Sequence, residues 1–168
     1  MARRDKDFLG LEVVSLEDAS VVGEIDGLVV DEEQNKVVGF VVDMGLYEAK
    51  ILPLSDTQTV GEDAVLVSKA DVVKPISQSG QLQQIAERGI HPDDALVITD
   101  KGDVIGVTGD FFVDPADGSL KGIEVLVGED SDERTLVVGI SSVVRIGSDI
   151  VLVSADYDTA VVGSGEDL

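Results

Sequence analysis

Two octapeptides far apart in the chain nearly coincide. Gly61-Glu62-Asp63-Ala64-Val65-Leu66-Val67-Ser68 and Gly147-Ser148-Asp149-Ile150-Val151-Leu152-Val153-Ser154 agree at six of eight positions. Apolar bias could align the valines and the leucine, but it would not also align the Gly, the Asp and the terminal Ser. The correspondence continues upstream, where a shift of 83 sets Gly106 under Gly23, Val113-Asp114 under Val30-Asp31 and Gly122 under Gly39. Three extra residues enter at the acidic turn 128–134, and beyond it the shift is 86. An insertion in a polar turn with both flanks kept is how a repeat diverges, because surface turns tolerate added residues. A chain of 168 residues that repeats itself once reads as two small units in tandem, not as a solenoid.

The repeated unit is β-structure. In Val21 to Asp43, Val, Ile, Leu and Phe fill two arms around the polar stretch Asp31-Glu32-Glu33-Gln34-Asn35. β-branched and aromatic side chains suit a pleated, half-buried surface, and the second arm is too short for a helix. The copy, Val104 to Val127, carries the turn Asp114-Pro115-Ala116-Asp117-Gly118, whose Asp-Gly favours the positive φ of a tight hairpin. Further strands are expected at Phe8 to Ser15, Glu48 to Leu54 and Ala64 to Ser68, with a 3₁₀ or Asx turn at residues 55–58. Residues 95–99 match the first strand, with Leu96-Val97 under Val13-Val14 on the same shift of 83. The domain plan is then a first barrel at 8–70, a linker at 71–94, a second barrel at 95–155 and an acidic tail at 156–168. Within the linker, Gln81 to Arg88 reads as a short helix, with Gly89 and Pro92 as stop signals.

The order Leu-Gly-x-x-Val, Val-Gly-x-Ile-x-x-Leu-Val-Val-Asp, polar turn, Val-x-Gly-Phe-Val-Val, Leu-Pro-Leu-Ser-Asp and Gly-Glu-Asp-Ala-Val-Leu-Val resembles the PRC-barrel domain. The match covers Leu9 to Ser68 and, more weakly, Ala95 to Ser154. The resemblance implies an all-β protein of two small, strongly bent antiparallel barrels. It also implies a non-catalytic adaptor, with no cofactor. The family occurs in the H subunit of photosynthetic reaction centres and as the C-terminal domain of a ribosome maturation factor. The membrane helix of the first and the N-terminal domain of the second are not seen here. The shared motifs are structural glycines and apolar alternation, which speak to fold and not to function.

Charge bounds the partners. With 34 acids against 12 bases the net charge is −22. Such a surface repels nucleic-acid backbones and anionic membranes and attracts basic protein segments. It also suits solubility in a salty or hot cytoplasm. No apolar run reaches the length of a membrane span and no leader pattern follows the start, so a soluble, cytoplasmic protein is expected. Cysteine is absent, which removes thiolate and disulfide chemistry.

Candidate sites are few. Asp114 to Gly118 with Glu124 has Gly and Glu one place early for a calcium loop, and reads as a hairpin turn. Asp31 and Asp114 sit at equivalent turns, where a carboxylate caps its own loop. His91 is the only histidine and makes a poor metal site without convergent ligands. No Walker or Gly-x-Ser-x-Gly motif occurs. Phe111 and Phe112 point to opposite faces by strand alternation. One belongs in the core, and the other is either a candidate contact anchor between barrels or with a partner or, on a bent strand, a core residue as well. The expected function is an acidic, non-enzymatic adaptor for a basic protein segment. The alternatives are an assembly factor acting through a basic ribosomal protein and a small-ligand binder or enzyme. Exposed strand edges would also let copies of the chain associate.

Overall fold

The computed structural model describes residues 2–43, 45, 48–88, 94–128, 134–157 and the backbone of 159–160. It contains two curled sheets, one per repeat. The first is built from β2 (Glu12–Ser15), β3 (Ser20–Asp31), β4 (Lys36–Asp43), β5 (Lys50–Pro53), β6 (Thr57–Val60), β7 (Ala64–Val67) and β8 (Lys74–Pro75), in the order β6-β7-β2-β3-β4-β5-β8. The second is built from β9 (Leu96–Thr99), β10 (Val104–Val113), β11 (Leu120–Val127), β12 (Arg134–Gly139), β13 (Val143–Ile146), β14 (Ile150–Val153) and β15 (Thr159–Ala160), in the order β13-β14-β9-β10-β11-β12-β15. Pairings are antiparallel except β2 with β7 and β9 with β14, which join the first strand of each unit to its last long one.

Each long hairpin bends at two bulges, and the bulges recur at equivalent residues. In the first copy the register slips between Ile25 and Gly27 and between Val29 and Val30. In the second it slips between Thr108 and Phe111 and between Phe112 and Val113. Bulges increase local twist and bend the strand, so the curl of both sheets has one shared cause. Gly23 and Gly106 serve that curl. A Cβ at Gly23 would lie 2.5 Å from the Asp43 carbonyl oxygen, and one at Gly106 would collide with that of the equivalent Leu126.

Two expectations are corrected. Val97 pairs with Gly106 as Val13 pairs with Gly23, so the first strand follows a shift of 84 and Leu96 takes the place of Glu12. Three residues close the turn between Thr99 and Asp103, where four separate Ser15 from Ser20. Residues 57–58 also open strand β6, because the 3₁₀ turn ends at Asp56.

The helix α1 (Gln81–Glu87) packs on β3, and Arg88 at its end donates to Glu32 at 2.7 Å. The segment between the repeats thus lies against the first barrel, to which it also contributes β8. The N-terminal strand β1 (Arg3–Arg4) goes to the other barrel, where it pairs with β10. The hairpin tips join the two units. The Val37 N–H donates to the Gly118 carbonyl at 2.7 Å, and the Leu120 N–H donates to the Asn35 carbonyl at 3.0 Å. Lys36 and Ser119 form the bridge between them. These three pairs match equivalent positions of the two repeats, so a local two-fold axis passes between Lys36 and Ser119. One apolar core takes buried side chains from both sheets, from Phe8, Val13 and Phe40 to Ile123, Ile146 and Val153.

Candidate interaction surfaces

Phe111 and Phe112 leave β10 on opposite faces, and both are buried. Phe111 enters the common core. Phe112 lies on the outer face with Val137 and Ala2, beneath the Arg4 guanidinium, 5.0 Å from the ring centroid. The side chain proposed as a contact anchor is therefore covered by the chain's own N-terminal segment.

That segment makes a compact charged cluster. Arg4 Nη1 donates to Asp110 Oδ2 at 2.9 Å and to Glu124 Oε2 at 2.6 Å, and Lys6 Nζ lies 3.2 Å from Asp110. The hydrogen bond to Glu124 is the largest influence raising the Arg4 pKa above its already high ordinary value, although burial opposes it. Arg3 turns the other way. Its guanidinium donates to the Gly61 carbonyl at 2.7 Å and stacks 4.7 Å from the Phe8 ring centroid, both in the first half of the chain. Asp110, Phe112 and Glu124 have Gly27, Val29 and Val41 as their repeat equivalents. The fold therefore does not require an acid–aromatic cluster at this place. Residues 1–7 alone, with Arg3, Arg4 and Lys6 beside Asp5 and Asp7, do not reveal it. Comparing the two copies at these three positions would have exposed it.

A second difference runs across four strands. In the first sheet Ala64, Glu12, Glu24 and Asp43 are successive cross-strand partners. In the second the same row is Ile150, Leu96, Val107 and Leu126. Ile150, Leu96 and Val107 are 42, 38 and 39% exposed. A groove of about 300 Å³ beside Glu12, Glu24 and Asp43 marks the acidic version. The apolar version is on the same face of β11 as Glu124, two residues from Leu126. It thus adjoins the Arg4 cluster.

The other sequence candidates are local. Asp31 accepts the Glu33 N–H at 3.0 Å and the Gln34 amide at 2.8 Å, and Asp114 accepts the Ala116 N–H at 2.9 Å. Each carboxylate caps its own turn. His91 and residues 129–133 of the acidic turn lie outside the described residues. Between the barrels a groove of about 430 Å³ is lined mainly by apolar groups, with Lys36 and Asp117 as its charged members. In the turn of the first hairpin, Glu32 Oε2 and Asn35 Oδ1 are buried without a hydrogen-bond partner. Among the described residues no three His, Asp or Glu side chains are grouped to hold a metal, and no helix is long and apolar enough to cross a membrane.

Twin bent sheets, joined at their hairpin tips and carrying divergent outer faces, define a tandem small-barrel protein. A family model for the PRC-barrel domain matches residues 1–72 and 94–160. The chain belongs to the PRC-barrel domain family, with two copies in tandem. No curated protein matches it.

Proposed function

We propose that the protein is a non-catalytic adaptor that accepts a basic, partly apolar segment of a partner protein. The observation that carries this reading is the row Ile150–Leu96–Val107–Leu126. It is apolar where the first copy places three acids and an alanine, and Ile150, Leu96 and Val107 within it are exposed. Cross-strand neighbours of this kind on an open face serve contact, since apolar surface left in water is costly unless something covers it. The surrounding charge of −22 supplies attraction toward a basic partner and sets its approach rate.

The test exchanges one copy's row for the other's. Leu96→Glu with Val107→Glu installs the residues that the first barrel already carries in the same register, so the sheet tolerates them. Affinity capture from native lysate, at low and high salt, compares this variant with the wild type. The expected result is a basic protein recovered at low salt, weakened by high salt, and reduced roughly tenfold or more by the double substitution. A basic ribosomal protein in that fraction would narrow the role to ribosome assembly. Equal recovery by both proteins, or direct recovery of RNA without a basic protein, would sink the reading.

A further inference from the structure

We propose that the edge of β10 beyond its pairing with β9, with its outer face at Asp110 to Val113 and with Glu124, forms a docking site for an extended Arg-bearing segment of a partner. In this structure the chain's own residues 2–6 occupy that site in cis. The inference rests on the adaptor reading and gives it a location and a recognition mode.

The cis segment shows how the site recognises its occupant. Backbone pairing comes first: Arg3 sits opposite Val113 and Arg4 opposite Phe112, antiparallel, on the part of β10 that β9 does not reach. Adding a strand to a sheet edge supplies main-chain affinity without regard to sequence, and side-chain pockets then select. The pocket here takes a guanidinium. Asp110 and Glu124 hold its N–H groups, and the Phe112 ring lies beneath it. A planar cation that donates several hydrogen bonds and stacks on an aromatic face fits this better than an ammonium does. The second basic residue, Lys6, reaches the same Asp110. Phe111 N–H donates to Asp5 at 3.3 Å and completes the contact.

Three features mark the contact as exchangeable and not as a fixed part of the barrel. The first copy dispenses with it, having Gly27, Val29 and Val41 at the equivalent positions. The strand is only two residues long, and the Arg4 and Lys6 side chains remain 31 and 60% exposed. Phe8, beyond the segment, is buried in the common core, so the chain stays tethered there if residues 2–6 leave and give up the Arg3 bond to Gly61 and the Ala2 contact with Phe112. A tethered occupant competes at high effective concentration, so it lowers the apparent affinity for a partner in proportion to the fraction of time the site is closed.

The experiment uses the full chain and a fluorescent peptide with the sequence of residues 1–7. In the variant Arg4→Ala with Lys6→Ala the cis occupant is weakened. The peptide is expected to bind this variant roughly tenfold or more tightly than the wild type, as read by fluorescence anisotropy. Adding Asp110→Asn and Glu124→Gln should abolish that binding, while circular dichroism shows the sheets unchanged. Absence of peptide binding to the opened variant, or binding indifferent to the two acids, would overturn the proposal. So would a wild-type dimer formed by exchanged N-terminal segments in sedimentation, because the occupant would then be a second copy. If the peptide fails while capture of a basic partner still depends on Leu96 and Val107, this site alone falls and the adaptor reading stands.

Discussion

At the scale of single residues, the junction between the barrels turns on Gly118. Its φ is +79°, and a Cβ there would meet the Val37 carbonyl and lie 2.6 Å from Leu54 Cδ2, both in the other barrel. Gly102 has φ +88° with nothing within 4 Å. Gly102→Ala should cost only the left-handed backbone penalty, about 1–2 kcal/mol. Gly118→Ala should cost that and a further 1–3 kcal/mol or so from overpacking. Urea unfolding of the pair separates the two contributions, and equal losses would show that close approach does not matter. Its neighbour Asp117 accepts the Ser119 hydroxyl at 2.7 Å and the Ser119 N–H at 2.9 Å. The Ser119 side chain, and then its backbone, hold the Asp117 pKa below the ordinary carboxylate value. A lowered folded pKa contributes stability above the ordinary value of about 3.9, lost as pH falls through the folded value. Asp117→Asn should therefore be slightly less stable than the wild type at pH 7. The two melting temperatures should converge on acidification below about pH 4, and a gap that stays constant would contradict the assignment.

At the scale of elements, β10 carries two adjacent phenylalanines with different duties. Phe111 faces the common core, and Phe112 faces the N-terminal segment. Phe111→Ala should lower global stability by about 3–5 kcal/mol, the usual cost of emptying an aromatic core position. Phe112→Ala should cost less globally and instead free β1, seen as faster hydrogen exchange at residues 3–5. Equal global losses with unchanged exchange would argue against this division. The opposite directions of the two rings followed from alternation. What covered Phe112 did not, because its cover comes from a segment more than 100 residues away. The twinned bulges were likewise hidden. A bulge is a mismatch between two strands, and neither strand alone records it.

At the scale of the whole molecule, the shared core and the paired hairpin tips make the two repeats one unfolding unit. Thermal denaturation should show a single transition, since removing either sheet would expose core residues of the other. Two separated transitions would show that the junction is too weak to couple them. The net charge of −22 opposes compaction through self-repulsion, which salt screens within about 10 Å at 0.1 M. Added salt should therefore raise the melting temperature even though it weakens the Arg4 ion pairs. A fall would mean that those pairs outweigh the repulsion.

The sequence by itself determined the duplication, the hairpin in each copy, the acid turn caps at Asp31 and Asp114, and the family. All of these rest on local patterns: period-two alternation, turn chemistry and glycines whose spacing repeats. Only the tertiary structure decided which residues of different strands share a face. The three-residue turn after Thr99 places Leu96, not Ala95, opposite Val107, and so lines up the apolar row with Ile150 and Leu126. A one-residue change in register moves every side chain of a strand to the other face. That is why an 83-residue shift, correct for the hairpin, misplaced the strand before it. The union of the hairpin tips and the docking of Arg4 against Asp110 and Glu124 are choices between distant surfaces. Local propensity carries no term for such choices, and they are settled by which surfaces the packed core brings together.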